Sequence, residues 1–208
     1  MAKTAKWDQL ASDTQIKKTI AALKQNGIEA LVVDTAQKAK DEVLKRIPKG
    51  AEVMTMTSVT LDAIGIPKEI NESGKYNSVR KKLMSMDRAT QSLEMNKLGA
   101  APEYAIGSVH AVTQDGKALI ASNTGSQMSA YVYASPHVIW VVSTQKIVEN
   151  LEGGIKRIYD YILPLESKRL QKVFGPQFKS NVSKLFIINR EVKPGRVTLI
   201  FVKQKLGF

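Results

Sequence analysis

Three short, almost continuous apolar runs, Ile28 to Val33, Glu52 to Met56 and Val138 to Val142, each end in hydroxyl-bearing residues and are followed by a helix-like pattern. Runs of this length with no polar alternation read as strands buried on both faces, which occur in parallel sheets covered by helices. Leu10, Ile16, Ile20 and Leu23 recur near helical spacing, so residues 7 to 26 are expected to form an amphipathic helix that stops at Asn26-Gly27. Asp34 or Thr35 is expected to cap a second helix carrying Val43, Leu44 and Ile47. A short helix follows Thr57-Ser58 and ends near Gly65. The expected fold class is therefore α/β, with a mixed, mostly parallel sheet flanked by helices.

Further along, residues 78 to 98 read as one helix, with Val79, Leu83, Met86, Thr90, Leu93 and Leu98 on one side. After Pro102 the period changes to two, and residues 105 to 113 read as a strand with Ser108 and His110 on one face. Asp115-Gly116 is a hairpin signal that pairs this strand antiparallel with residues 117 to 122. A helix over 150 to 162, a second one from Pro164 to about Phe174, and two strands, Leu185 to Ile188 and Arg196 to Val202, complete the pattern. No repeat, low-complexity segment or linker interrupts it. A single domain over 1–208 is expected, with an N-terminal helix in 1–26 and an α/β core in 27–208.

Composition narrows the chemistry. The 208 residues include no cysteine, so the chain forms no disulfide, ligates no iron–sulfur cluster through thiolates and offers no thiol nucleophile. With two histidines and no HExxH spacing, no metal is expected. The longest apolar stretches fall short of the roughly 20 residues of a membrane helix. Lys3, Lys6 and Asp8 flank no apolar segment, so no signal peptide or membrane insertion is expected and a cytoplasmic location is the default. The formal charge of +12 is spread over short groups such as Arg80-Lys81-Lys82, Lys156-Arg157 and Lys168-Arg169. Solvated faces, a basic pocket for an anion and an RNA surface are the three readings, in that order.

Candidate ligand contacts lie where strands give way to helices. Thr57 and Ser58, Asn123 to Gln127, and Gln145 with Lys146 all sit at such junctions, where unpaired helix N–H groups suit phosphate or carboxylate. Gly107 and Ser108, within the strand expected over 105–113, are added as a fourth candidate contact. In the stretch "IASNTGSQ" Gly125 permits positive φ, and Asn123, Thr124, Ser126 and Gln127 offer neutral donors. No Walker lysine and no GxGxxG is present, so neither ATP hydrolysis nor a standard NAD site is supported. Ser108 and His110 are the weak catalytic candidates: residues two apart on one strand point in parallel, and no GxSxG elbow exists. Lys146 reads as a solvated residue at a helix start or as charge for the pocket; Glu166 and Arg169, at i, i+3, read as a mutual pair. Tyr131 and Tyr133 are expected to close one pocket wall; Trp7 and Trp140 read as packing residues.

The segments "SVTLDAIGI" (58–66), "GSVHAVTQDG" (107–116), "IASNTGSQ" (120–127), "VIWVVSTQKIV" (138–148), "LPLESKR" (163–169) and "PGRVTLIFVKQKLGF" (194–208) resemble the LUD-domain family, named for lactate utilization. The likeness runs in order along nearly the whole chain. It implies a fold similar to the ribose-5-phosphate isomerase, glucosamine-phosphate deaminase and CoA-transferase group. It also implies a role in organic-acid metabolism, with a small anionic metabolite as the partner and the cofactor unknown. Some relatives work with iron–sulfur partners, so an accessory subunit docking on a redox enzyme is the alternative; RNA binding ranks last. If the chain is an enzyme, the resemblance favours acid–base isomerisation or acyl transfer over redox chemistry. CoA transfer needs a glutamate at the pocket, and the glycine loop contains none; Asp115 and Glu149 are the nearest acids in sequence.

Overall fold

A computed structural model describes residues 7–208. Helix α1 (Asp13–Gln25) starts later than its apolar spacing suggests, because Ser12 and Gln15 form a reciprocal capping box there. Strand β1 (Glu29–Val33) follows, then α2 (Ala36–Lys45), capped by Thr35. Next come β2 (Glu52–Thr55), α3 (Val59–Ala63), α4 (Ile66–Glu72) and the two-residue β3 (Asn77–Ser78). Helices α5 (Val79–Met84) and α6 (Ser92–Ala100) replace the single helix expected over 78–98. Between them the Asp87 carboxylate accepts from the Ala89 amide at 2.9 Å and the Thr90 hydroxyl at 3.1 Å, and Gln91 accepts from the Asp87 amide. These local bonds compete with helix propagation.

The strand expected over 105–113 is two strands in two sheets: β4 (Tyr104–Gly107) and β5 (Ala111–Thr113), parted by an irregular turn at 108–110. Strand β6 (Ala118–Ser122) pairs antiparallel with β5 across the Asp115-Gly116 hairpin. A π-helical turn (Ala130–Ala134), β7 (His137–Ser143), a 3-10 turn (Thr144–Lys146) and β8 (Ile147–Val148) come next. Helices α7 (Leu151–Arg157) and α8 (Leu163–Phe174) run into one another through a second π-helical turn, Ile158–Ile162, where two separate helices were expected. Pro164 supplies no amide donor, and the helix widens just before it instead of ending. Strands β9 (Lys184–Ile188) and β10 (Val197–Val202) close the chain.

The larger sheet has the order β1-β10-β7-β4-β2-β3, and each of its pairings is parallel. The antiparallel pairings are confined to a second sheet, β8-β5-β6-β9. Strand β10 shows why the apolar runs are continuous. Val197, Leu199 and Phe201 pack on one face with Trp140 and Leu23, while Ile200 and Val202 pack on the other with Val43 and Leu61. The second sheet lies against the first through Val112, Ala118 and Ile120. Its far face holds Ala111 and Leu119 against Ile158 and Ile162.

The chain leaves β2 toward β3 on one side and leaves β4 toward β7 on the other. The order of connection thus reverses between β2 and β4, and the crevice beyond their carboxyl ends is where open parallel sheets bind ligands. No helix among the described residues is long and apolar enough to cross a membrane. Lys3 and Lys6, part of the signal-peptide argument, lie outside the described residues.

Candidate functional site

A cleft of about 380 Å³ opens at that reversal. Met56 to Thr60 follow β2, Ser108 and His110 follow β4, and Lys146 rises from the 3-10 turn after β7. The opposite wall is built by Asn123, Thr124, Ser126 and Gln127, by Glu166 and Arg169 of α8, and by residues 180–182.

Lys146 is the centre of the site. Its side chain is buried, and Nζ donates to Thr60 Oγ1 at 3.1 Å, Ser108 Oγ at 3.1 Å and the Val109 carbonyl at 3.2 Å. All three partners are neutral. Burial, with the Arg157 guanidinium as a second cause, pushes the ammonium down to about 7. Arg157 is itself fully buried: Nη1 donates to the His110 carbonyl at 2.7 Å, the guanidinium lies 5.2 Å from the Tyr161 ring centroid, and Nε and Nη2 have no hydrogen-bond partner among the described residues. Neither cation has a carboxylate within ion-pair distance among the described residues.

His110 Nδ1 accepts the Ala121 amide at 3.2 Å, so the neutral ring carries its proton on Nε2. Burial, then Lys146 and Arg157, push the imidazolium down to about 3, which keeps the ring neutral at physiological pH. Ser108 and His110 do not share a strand face, because the backbone turns between β4 and β5; both nevertheless line the cleft. Their convergence is on Lys146 and its surroundings, not on each other.

Arg80, from α5, enters from the β2 side. Nε and Nη2 donate to the Thr55 carbonyl at 3.2 and 2.9 Å, and Nη2 donates to Thr57 Oγ1 at 3.0 Å. Its Nη1 is left without a bond among the described residues, and no carboxylate pairs with it. Arg169, by contrast, is engaged in a two-pronged pair with Glu166 at 2.8 and 2.6 Å. This pair was expected from the spacing; its place in the cleft wall was not.

The glycine loop is a wall more than a cradle. Ser122 Oγ takes the Gly125 amide at 2.9 Å, Thr124 Oγ1 takes the Ser126 amide at 3.3 Å, and Gln127 Nε2 bonds back to the Ala121 carbonyl at 3.4 Å. Much of its donor capacity is spent on its own shape. Gly125 adopts φ +88° but does not line the cleft; a Cβ there would stand 2.8 Å from Lys184 Cδ. Gly107 and Gln145 also stand outside the wall: Gly107 is covered by Tyr131, and Gln145 turns to the Gly207 carbonyl at 2.9 Å. Tyr131 lines the cleft, while Tyr133 is 77% exposed and packs with Lys193 instead. Trp140 is core and Trp7 packs beside the far face of the second sheet.

The helices after the three junctions are one to two turns long, too short to align many peptide dipoles. Positive potential in the cleft comes from side chains. Arg80 and Arg157 read in the sequence as members of basic groups on solvated faces, and Thr60 belongs to the hydroxyl-bearing junction after β2 without being singled out as a contact. Inward-pointing charge inside a basic run has no local signature. Asp115 and Glu149, the nearest acids in sequence but with no sequence reason to reach the pocket, do not line the wall, which holds Asp62 and Glu166.

A family model described as the LUD domain matches residues 16–202. No curated protein matches the chain. Among solved structures, one described as a DUF162 family protein from Deinococcus radiodurans is similar with a TM-score of 0.58 at 10% identity, covering 93% of this chain and 99% of that one. At that identity the likeness speaks for the fold, and it fits the isomerase and CoA-transferase-like architecture implied by the sequence.

Proposed function

The chain belongs to the LUD domain family, associated with lactate utilization, and from that premise we propose that its cleft binds a small metabolite or cofactor bearing a carboxylate or phosphate, in organic-acid metabolism. One observation carries this reading: Arg80 reaches the cleft with Nη1 unengaged and no carboxylate within ion-pair distance among the described residues, Asp62 of the same wall acting on it only through space. A guanidinium oriented by three bonds and free of a direct ion pair is suited to an anion, because its fork is already fixed before the ligand arrives. The Asn123 side-chain amide, whose oxygen accepts from Ser183 Oγ, leaves a neutral N–H donor beside the same space. The volume suits a compact metabolite, falling near the lower end of the usual range of about 300 to 1,000 Å³ for ligand pockets.

Thermal unfolding in the presence of lactate, pyruvate, inorganic phosphate, sugar phosphates and acyl-CoAs tests it. A ligand at about 100 times its Kd adds roughly 2.7 kcal/mol, a shift of about 5 to 10 °C for a domain of this size. Arg80→Ala should keep the fold and lose the shift. A shift that survives in Arg80→Ala, or silence from every anion, sinks the reading.

Val173, Phe174 and Phe178 favour the second reading, an accessory subunit docking on a redox enzyme. They stand exposed together at the end of α8, with the two phenylalanine rings 5.7 Å apart. Co-purification with a cysteine-rich partner, lost in Phe174→Ser, distinguishes that role from independent binding.

A further inference from the structure

We propose that Lys146 Nζ is a nucleophile that forms an imine with a small carbonyl compound bearing an anionic group, while the His110 Nε2–H donates to the carbonyl oxygen. The inference rests on the anion-binding reading of the same cleft and names the class of its ligand.

The argument begins with the partners of the amine. A lysine buried for structural reasons is normally paired with a carboxylate, because an unpaired ammonium in a protein interior is costly. Lys146 has two hydroxyls and a carbonyl instead, and the nearby Arg157 has no carboxylate within ion-pair distance among the described residues, Asp8 acting on it only from farther off. Desolvation together with a neighbouring cation is the environment that frees a lysine lone pair for attack on a carbonyl. Lys146 lines the cleft, and so do Thr60 and Ser108, two of the groups that hold its amine. The other charged groups of the wall are Asp62, Arg80, Glu166 and Arg169, and none of them bonds to Nζ.

His110 supplies the second half. Its Nδ1 is committed to the Ala121 amide, so the ring presents a fixed donor edge, and that edge has no partner among the described residues. A neutral imidazole donor stabilises a developing oxyanion without carrying a proton that the amine could lose its lone pair to. Arg80 holds the anionic group at the β2 side of the same space.

The step balances without a co-reactant. Unprotonated Nζ adds to the carbonyl carbon, the C=O π bond opens, and the oxygen takes negative charge against the His110 N–H. A proton passes from nitrogen to oxygen, with Ser108 Oγ, 3.1 Å from Nζ, placed to relay it. The carbinolamine then loses its oxygen as water while the second nitrogen proton is released, giving a neutral imine. One C=O is replaced by one C=N, one water leaves, and nothing is oxidised or reduced.

The test treats the full chain with pyruvate or glyoxylate and sodium cyanoborohydride near neutral pH, followed by intact mass and peptide mapping. One reduced adduct per chain on Lys146 is expected, formed about tenfold or more faster than on any surface lysine, since each unit of pKa depression raises the free-amine fraction about tenfold. Lactate, which has no ketone or aldehyde carbonyl, should give no adduct and should compete. Lys146→Arg and Lys146→Met, checked for unaltered folding by circular dichroism, should give no selective adduct. Labelling scattered over surface lysines with Lys146 unmodified overturns the proposal. If pyruvate still gives an Arg80-dependent thermal shift in that case, the anion-binding reading stands and the imine alone fails; with neither shift nor adduct, both fall.

Discussion

A Cβ placed on Gly107 would stand 1.5 Å from the Tyr131 hydroxyl oxygen and 2.8 Å from its Cζ. Tyr131 leaves the 130–134 turn, crosses the carboxyl end of β4 and meets the Trp140 ring edge-on at 5.6 Å. Gly107 is the last residue of β4 because this ring occupies the space a side chain would need. A tyrosine, and not a ligand, explains the glycine, and the ring in turn fixes one wall beside Ser108.

Gly107→Ala should therefore destabilise the fold by about 1 to 3 kcal/mol, the usual cost of overpacking a filled interior. In the Tyr131→Phe background the cost should shrink without vanishing, since the hydroxyl is gone but the ring carbon stays close. Denaturant unfolding of the four chains in this cycle measures the coupling. Strictly additive effects would mean that the two residues do not contest this space.

The strand runs and helix spacings were legible because each parallel strand buries both faces, leaving an apolar signature that survives without neighbours. What stayed hidden depends on residues far apart in sequence. The switch from β4 to β5 is invisible in the alternation of residues 105 to 113, because the period is two in both strands and only the turn at 108–110 separates the sheets. Ser108 and His110 were found as candidates for a shared face that does not exist, yet both reach the cleft. Lys146 was named as a ligand contact supplying charge from a helix start, with solvation as the other reading; its burial was not legible, because a single 3-10 turn points it inward under Thr60, 86 positions earlier. Arg80 sits beside two lysines in the chain, and nothing local tells which member of a basic triplet turns in.

Glu191 and Arg196 form a buried pair at 2.6 Å, and Arg196 also donates to the carbonyls of Tyr131, Val132 and Ser135. Burial raises the Glu191 carboxyl, but the bond from Arg196 and backbone amides outweigh it, and the net direction is down. A depressed carboxylate stabilises the fold above its unfolded pKa, and that contribution is lost as pH falls through the folded value. Glu191→Gln should cost about 3 kcal/mol at neutral pH, the lower end for breaking a buried pair, because three carbonyls still hold the guanidinium. Its acid-induced loss of stability should also be shallower than that of the parent. Parallel pH profiles in thermal unfolding would contradict this.

At Gly125 the expectation drawn from sequence was a ligand contact; the geometry points to a turn requirement. Its φ of +88° disfavours any L side chain, and a Cβ presses on the flexible Lys184 stem. Gly125→Ala should lower stability by about 1 to 2 kcal/mol while leaving anion binding within about threefold of the parent, a difference of some 0.7 kcal/mol. Calorimetric titration of a folded variant checks it: binding lost with stability unchanged would return the loop to the role of cradle.

Lys146 should cost the fold stability in a pH-dependent way. Its folded value of about 7 lies below that of an exposed lysine near 10.5. Below the lower value both folded and unfolded chains carry the proton, so the full cost of burying an ammonium beside Arg157 is present. Between the two values the unfolded chain binds a proton that the folded chain lacks, and stability rises with pH across that window. Lys146→Met removes the charge at similar length, so its melting temperature should exceed that of the parent near pH 6 to 7, and the gap should close toward about pH 10. The same variant loses the amine that the imine requires. A side chain whose removal stabilises the protein while abolishing its chemistry has the stability cost expected of a functional residue; a Met variant less stable than the parent at every pH would mark Lys146 as a structural strut whose three hydrogen bonds outweigh its desolvation.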